Sequence, residues 1–221
     1  MARRIGSSGA QTADSLAKAA LRLFARHGYA AVSMRMIARE VGVQPGALYN
    51  HVGSKQDLLR DLMIGHMTEA MKAFRAQPLP EDPAAALEAF TRFHVRFHID
   101  RADAVFISYM ELRSLEPENF RAVERLRQEY EGILRGILER GARAGVMHAP
   151  DPPVAARAII SMLTGVTHWF REGGRLTARQ IEDIYTDMVA RSVSARPAAD
   201  GASAPDDTPK DTERTACSTQ A

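Results

Sequence analysis

The sequence predicts an all-α protein, with a small N-terminal unit of three helices followed by a helical body of about six. Three observations carry that prediction. Apolar residues recur at spacings of three and four along nearly the whole chain, and no long alternating run interrupts them. Gly and Pro punctuate the helical stretches at Gly28, Gly42, Gly53, Pro78 to Pro83, Gly145, Pro150 to Pro153 and Gly173 to Gly174. The 221 residues are 45% apolar and 25% charged, a globular balance, and no run approaches the roughly 18 apolar residues of a membrane span.

The elements follow in order. Leu16, Ala20, Leu23, Phe24 and His27 mark a first helix, ended by Gly28. Ser33 caps a short second helix holding Ile37 and Ala38, which Gly42 interrupts after Val41. A third short helix has Pro45 in its first turn, where a missing N–H does no harm. After Gly53, Ser54 with Asp57 three residues on marks another start, and Leu58, Leu62, Met63, Met67, Met71 and Phe74 carry this fourth helix to about Gln77. Leu87, Phe90, Phe93, His94 and Phe97 share one face of the next helix. Phe106, Met110 and Leu112 belong to another that stops near Pro117. Val123, Leu126, Tyr130, Ile133, Leu134, Ile137 and Leu138 define a long helix, with Glu131–Arg135 and Glu139–Arg143 pairs on its outside. Residues 154–172 are apolar on more than one side, as in a helix that is buried or shared with a partner. Thr177 and Gln180 form a capping box for a last helix bearing Ile181, Ile184, Tyr185 and Met188.

From Ala195 to Ala221 there is no Ile, Leu, Val, Met, Phe, Tyr or Trp. Such a segment cannot bury enough apolar surface to offset its ordering entropy, so residues 195–221 read as a disordered tail. The one cysteine, Cys217, lies there and supports neither an internal disulfide nor a cysteine-based zinc site. The first ten residues are basic but lack an apolar run behind them, which argues against a secretory signal and for a cytoplasmic protein with a flexible basic arm over 1–10.

Charge is uneven. Residues 1–60 hold nine Lys and Arg against three acids, whereas the whole chain is only +2, so a basic head sits on a mildly acidic body. That asymmetry points to a polyanion partner for the head. Enzyme motifs are missing: no phosphate-binding glycine loop, no dinucleotide fingerprint and no G-x-S-x-G elbow. His94 and His98, four apart on one helix, offer an alternative reading as a helical metal-binding protein or enzyme. Val95 occupies the place where a hydrolytic site needs Glu, so ordinary polar positions on an amphipathic helix are the preferred reading and no metal is expected.

The strongest signal spans residues 33–59. Ile37, Ala38, Val41, Val43 and Leu48 are spaced to pack two short helices around a turn at Gly42. The second would expose Gln44, Pro45, Gly46, Ala47, Tyr49, Asn50 and His51, small residues that let backbone approach a groove and polar ones that meet bases or phosphates. This is a helix-turn-helix pattern.

Leu23, Phe24, Gly28, Tyr29, Ile37, Ala38, Val41, Gly42, Val43, Gly46, Leu48, Tyr49, His51, Ser54, Lys55 and Leu58 together resemble the tetracycline-repressor family of bacterial regulators. Val52 and Gln44 depart from the family's usual Phe and small hydroxyl residue. The resemblance implies a DNA-binding domain over 11–53 and a ligand-binding and dimerisation domain over 54–194 with no cofactor. It implies that Ser33 and Arg35 lie at the DNA, that Gln44, Pro45, Gly46 and Ala47 face the major groove of a palindromic operator beside Asn50, and that Tyr49, His51 and Lys55 hold phosphates. It further implies a homodimer, for which Ile159, Leu163, Val166, Phe170, Ile181, Ile184 and Met188 are the expected interface. Met63, His66, Met67, Phe90, Phe93, His94, Phe97, Phe106, Met110, Arg113, Tyr130, Met162 and Trp169 are the expected ligand contacts. The segment from Met162 to Gly174 resembles the branch controlling lipid breakdown, which implies an acyl-coenzyme A thioester as effector of a repressor. Repressor and activator are not distinguished by the residues themselves.

Overall fold

The structure is a computed structural model that describes residues 7–194. Ser7 already lies in the first helix, so the expected arm is shorter than 1–10. Residues 1–6 and the expected tail over 195–221 lie outside the described residues. The described residues form α1 (Ser7–His27), α2 (Met34–Val41), α3 (Pro45–Leu48), α4 (Lys55–Arg75), α5 (Pro83–Ile99), α6 (Ala102–Met110), a 3-10 turn (Leu112–Ser114), α7 (Pro117–Arg143), α8 (Pro152–Thr164), the one-turn α9 (Val166–Trp169) and α10 (Ala178–Ser192).

Helix starts follow local chemistry. Ser33, Ser54, Asp82, Asp151 and Thr177 each accept a backbone N–H from the first turn of the following helix, satisfying a donor the helix itself leaves free. At the end of α2, Gly42 adopts φ +75°, and Val43 N–H closes back onto Ala38 O at 2.9 Å. Only glycine takes that left-handed turn without strain, and it turns the chain into α3.

Two cores result. The head core joins Leu16, Ala20 and Phe24 of α1 to Ile37, Ala38 and Leu48, and is completed by Leu58, Leu59 and Met63 of α4 and Ile107 of α6. The body core surrounds α5, whose Leu87, Phe90, Phe93, Val95 and Phe97 pack against Met67, Met71 and Phe74 of α4, Tyr130 and Leu134 of α7, Ile159 and Leu163 of α8 and Ile181 of α10. One helix, α4, therefore contributes its first half to the head and its second half to the body.

Several sequence expectations change in three dimensions. The apolar stripe on α5 is not one-sided, because the helix is buried on nearly every side and takes His94 and His98 inside with it. The helix expected to stop near Pro117 ends at Met110 and is followed by the 3-10 turn to Ser114, before Pro117 opens α7. The helix expected over 154–172 breaks at Gly165, and Phe170 is extended. Glu131 pairs not with Arg135 but with Arg157 of α8 at 3.1 Å, and Arg135 turns to Glu139.

Candidate nucleic-acid interface and effector cavity

The head presents one polar face. Leu48 is fully buried and anchors α3, while Gln44, Pro45, Gly46, Ala47, Tyr49, Asn50 and His51 around it are exposed. Hydrogen bonds from His51 N and Val52 N to Leu48 O carry the turn beyond the helix. Ser33 and Arg35 are also exposed, and Arg35 makes no ion pair among the described residues. Gly9 of α1 lies beside the His51 ring.

Lys55 is different. Its Nζ donates to Tyr29 O at 2.9 Å and Val32 O at 2.8 Å, and lies 4.1 Å from the centre of the Tyr29 ring. Partial burial lowers its pKa and the Glu111 carboxylate opposes that shift. Two of the ammonium's three donors are thus taken up by the carbonyls of the α1–α2 corner, a structural role that the expectation of a phosphate contact did not include.

A cavity of about 290 Å³ opens between α4, α5, α6, α7 and α8, at the lower end of the size range of small-molecule sites. Of the expected ligand contacts it brings together His66, Met67, His94 and Tyr130. The others lie elsewhere. Met63 is sealed in the head core, against which Phe106 also packs, whereas Phe90, Phe93 and Phe97 fill the body core and Met162 packs on it. Met110 and Arg113 face solvent, and Trp169 is stacked on Tyr185 at the surface. Helical spacing identifies apolar positions but not which gap between helices stays unfilled, so core and lining were not separable. The sequence reading missed the polar wall: His98, Ser108, Tyr109, Glu124, Arg127 and Arg157.

That wall is organised. His94 Nδ1 lies 3.0 Å from Tyr130 Oη, and its Nε2 lies 3.1 Å from Thr164 Oγ1, which in turn lies 3.1 Å from Tyr109 Oη. The His98 ring stacks on His94 at 4.0 Å, and its Nδ1 bonds His94 O at 2.8 Å. Burial pushes all three histidines down, His66 to about 4 with the Arg101 charge adding to the effect, and His98 to about 3 and His94 well below its ordinary value with repulsion from the neighbouring histidines adding to it. They are neutral at neutral pH. His94 and His98, expected as ordinary polar positions on an amphipathic helix, are set apart from that by the burial of α5. Both His94 nitrogens are engaged, and among the described residues no group of three His, Cys, Asp or Glu side chains is placed to hold a metal ion.

Besides α4, a strap ties the cavity to the head. Ser108, Tyr109 and Leu112 line the cavity. Between them, Glu111 accepts the Tyr29 N–H at 2.9 Å and the Ser114 hydroxyl at 2.7 Å. Gln56 of α4 donates to Ser114 O at 2.7 Å and to Tyr29 Oη at 3.0 Å, and accepts Glu116 N–H at 3.0 Å.

Of the expected interface residues, Ile159, Leu163, Val166 and Ile181 are buried in the subunit's own core and have no surface to offer a second copy. Phe170 is half-buried. Ile184 (44% exposed) and Met188 (46%) do face outward, as do Trp169 (51%) and Val154 (58%), which leaves apolar surface on the outside of α8 to α10.

Comparison with known proteins agrees with this architecture. Residues 16–62 match the model for bacterial regulatory proteins of the tetR family, and residues 80–193 match that for the tetracyclin repressor-like C-terminal domain. The chain is similar to the HTH-type transcriptional repressor KstR2 of Rhodococcus jostii, 29% identical over 189 residues that cover 83% of this chain and 91% of that protein. The solved structure of a bacterial regulatory protein in the tetR family from Rhodococcus RHA1 superposes with a TM-score of 0.78 at 30% identity, covering 84% of this chain and 98% of that one. AibR in complex with isovaleryl coenzyme A and operator DNA shares the fold, with a TM-score of 0.72 at 24% identity over 80% of this chain and 97% of its own. No helix among the described residues is long and apolar enough to cross a membrane. With a helix-turn-helix head and a cavity-bearing helical body joined through α4, the chain belongs to the tetracycline-repressor family of bacterial regulatory proteins.

Proposed function

We propose that this chain is a cytoplasmic, ligand-responsive repressor that binds a palindromic operator as a homodimer and lets go when an effector fills the cavity. The observation that carries the reading is the α3 surface: Gln44 to Ala47, Tyr49 and Asn50 stand exposed over a buried Leu48, flanked by Ser33, Arg35 and His51. Small residues at the start of α3 allow the backbone close to a major groove, and the polar ones read bases and phosphates. Two such helices must enter successive grooves about 34–36 Å apart, which requires a dimer. The outward Ile184, Met188, Trp169 and Val154 suit that pairing. The likeness to the repressor KstR2 supports repression, and the shared fold with AibR, solved with isovaleryl coenzyme A and operator DNA, makes an acyl-coenzyme A thioester the effector we propose.

The strap from Ser108 to Glu116 supplies a route for release, since its residues touch both the cavity and Tyr29 of the head. A hundredfold loss of operator affinity requires about 2.7 kcal/mol of coupling between the two sites. A gel-shift titration with DNA upstream of the protein's own gene tests the reading. Salt-sensitive retardation, reversed by acyl-coenzyme A thioesters such as isovaleryl coenzyme A, is expected. Selection from random duplexes at low ionic strength extends the search beyond that fragment, and failure to enrich any sequence refutes the repressor reading.

A further inference from the structure

The deep wall of the cavity carries a surplus proton. Tyr130, His94, Thr164 and Tyr109 form a chain of three hydrogen bonds. In their neutral forms these groups carry one exchangeable proton each, so one donor is left over after the bonds are made. With the proton on His94 Nε2, the donors run from Tyr130 toward Thr164, and the surplus lies on the Thr164–Tyr109 side. With the proton on Nδ1 they run the other way, and the surplus emerges at Tyr130. Both tyrosines line the cavity. His98 adds an acceptor, because its Nδ1 must donate to His94 O and its Nε2 then keeps a lone pair. The Ser108 hydroxyl beside them is buried and has no protein partner.

The charges on the same wall are already matched. Arg157 Nε lies 3.1 Å from Glu131, and Arg127 lies 3.7 Å from Glu124 while donating to Ser108 O and covering the Tyr109 ring. All four of these charged residues line the cavity, so their charges cancel. Met67, Leu112 and Ile160 supply apolar lining.

From this arrangement we infer that the cavity selects an apolar molecule carrying a neutral carbonyl oxygen, as in a ketone, ester or thioester, over the matching carboxylate, and that the Tyr130–His94–Thr164–Tyr109 chain is the element that recognises it. The inference rests on the reading of this cavity as the effector site. A carbonyl oxygen accepts the surplus proton and leaves no member of the chain unsatisfied. A carboxylate must be stripped of water and then needs an unpaired cation or a protonated histidine. Neither is on offer, since both arginines are paired and burial holds the histidines neutral.

Chain-matched probes test this: 2-octanone, octanoyl coenzyme A and octanoate, titrated calorimetrically at about pH 7 into the full-length protein. The ketone, the thioester or both are expected to bind roughly tenfold more tightly than octanoate. Ketone binding alone assigns the site to small ketones, thioester binding alone assigns it to activated acyl groups, and binding of both assigns it to the carbonyl as such. Thr164→Val is expected to weaken the preferred probe roughly fivefold or more, while Thr164→Ser, which keeps the hydroxyl, restores affinity to within about twofold. Octanoate binding as tightly as the others overturns the inference, as does an unchanged affinity in folded Thr164→Val or binding of none of the three. Should Thr164→Val not fold, Tyr130→Phe serves in its place with the same expected loss. Promoter-DNA retardation in the same preparation is read separately: its persistence without probe binding leaves the repressor reading intact, and its absence with probe binding strikes only that reading.

Discussion

Replacing Lys55 with Met distinguishes a structural role from a DNA contact. Met keeps an unbranched side chain and removes the ammonium that bonds Tyr29 O and Val32 O and covers the Tyr29 ring. Hydrogen bonds from a charged donor contribute about 1.5–3 kcal/mol each when buried, but Lys55 is only partly buried, so water recovers part of the loss. Two bonds at about 0.8 kcal/mol and a cation–π contact of about 0.5 kcal/mol give a destabilisation of about 2 kcal/mol. In a chain of this size each kcal/mol moves the melting temperature by about 2–4 °C, so a drop of about 4–8 °C is expected. A phosphate contact predicts something else: an unchanged melt, and a slope of log affinity against log salt that shrinks by about 0.9. Calorimetric melting and gel shifts across a salt series measure both quantities. A melt identical to wild type together with a reduced salt slope would refute the assignment of Lys55 to the corner of the head.

Further outcomes follow from other parts of the molecule. Acidification below about pH 6.5 should destabilise the protein, because the unfolded histidines take up protons while His66 and His98 resist protonation down to about 4 and 3. Each contributes up to about 1.4 kcal/mol per pH unit in that window, and His66→Gln should flatten a plot of stability against pH between 6.5 and 4.5, an unchanged slope counting against the buried neutral state. Gly42→Ala should cost about 1 kcal/mol from its φ of +75° alone, since no atom lies within 4 Å of the added methyl, and a denaturant melt that shows stabilisation would contradict the left-handed turn. The pair Ile184→Asp and Met188→Asp should shift the sedimentation coefficient to that of a single subunit and lower operator affinity by more than tenfold, as charge is forced into an apolar contact; a dimer that survives both changes would locate the interface elsewhere.

The head was legible in the sequence because its determinants are local. Ser33, Gly42, Pro45 and Ser54 fix caps and turns within a few residues, and helix periodicity then aligns Ile37, Ala38 and Leu48 against α1. The Thr177–Gln180 capping box was readable for the same reason. The cavity was not. His94 and His98 read along the chain as polar positions on an amphipathic helix, and only enclosure of α5 by the helices around it makes them buried and neutral, with His94 bonded to Tyr130 and Thr164 and His98 to the His94 carbonyl. Lys55 carries the charge of a phosphate ligand, yet the carbonyls that claim it lie 23 and 26 residues away.

The amino-acid order thus determined where each helix begins, where the head turns and which surface of α3 is polar, since those depend on backbone groups satisfied by near neighbours. The tertiary structure decided which apolar residues fill space and which border a void, and which charges are spent inside the molecule. Those outcomes depend on the shape left between helices far apart in the chain, to which a residue's spacing along its own helix is blind.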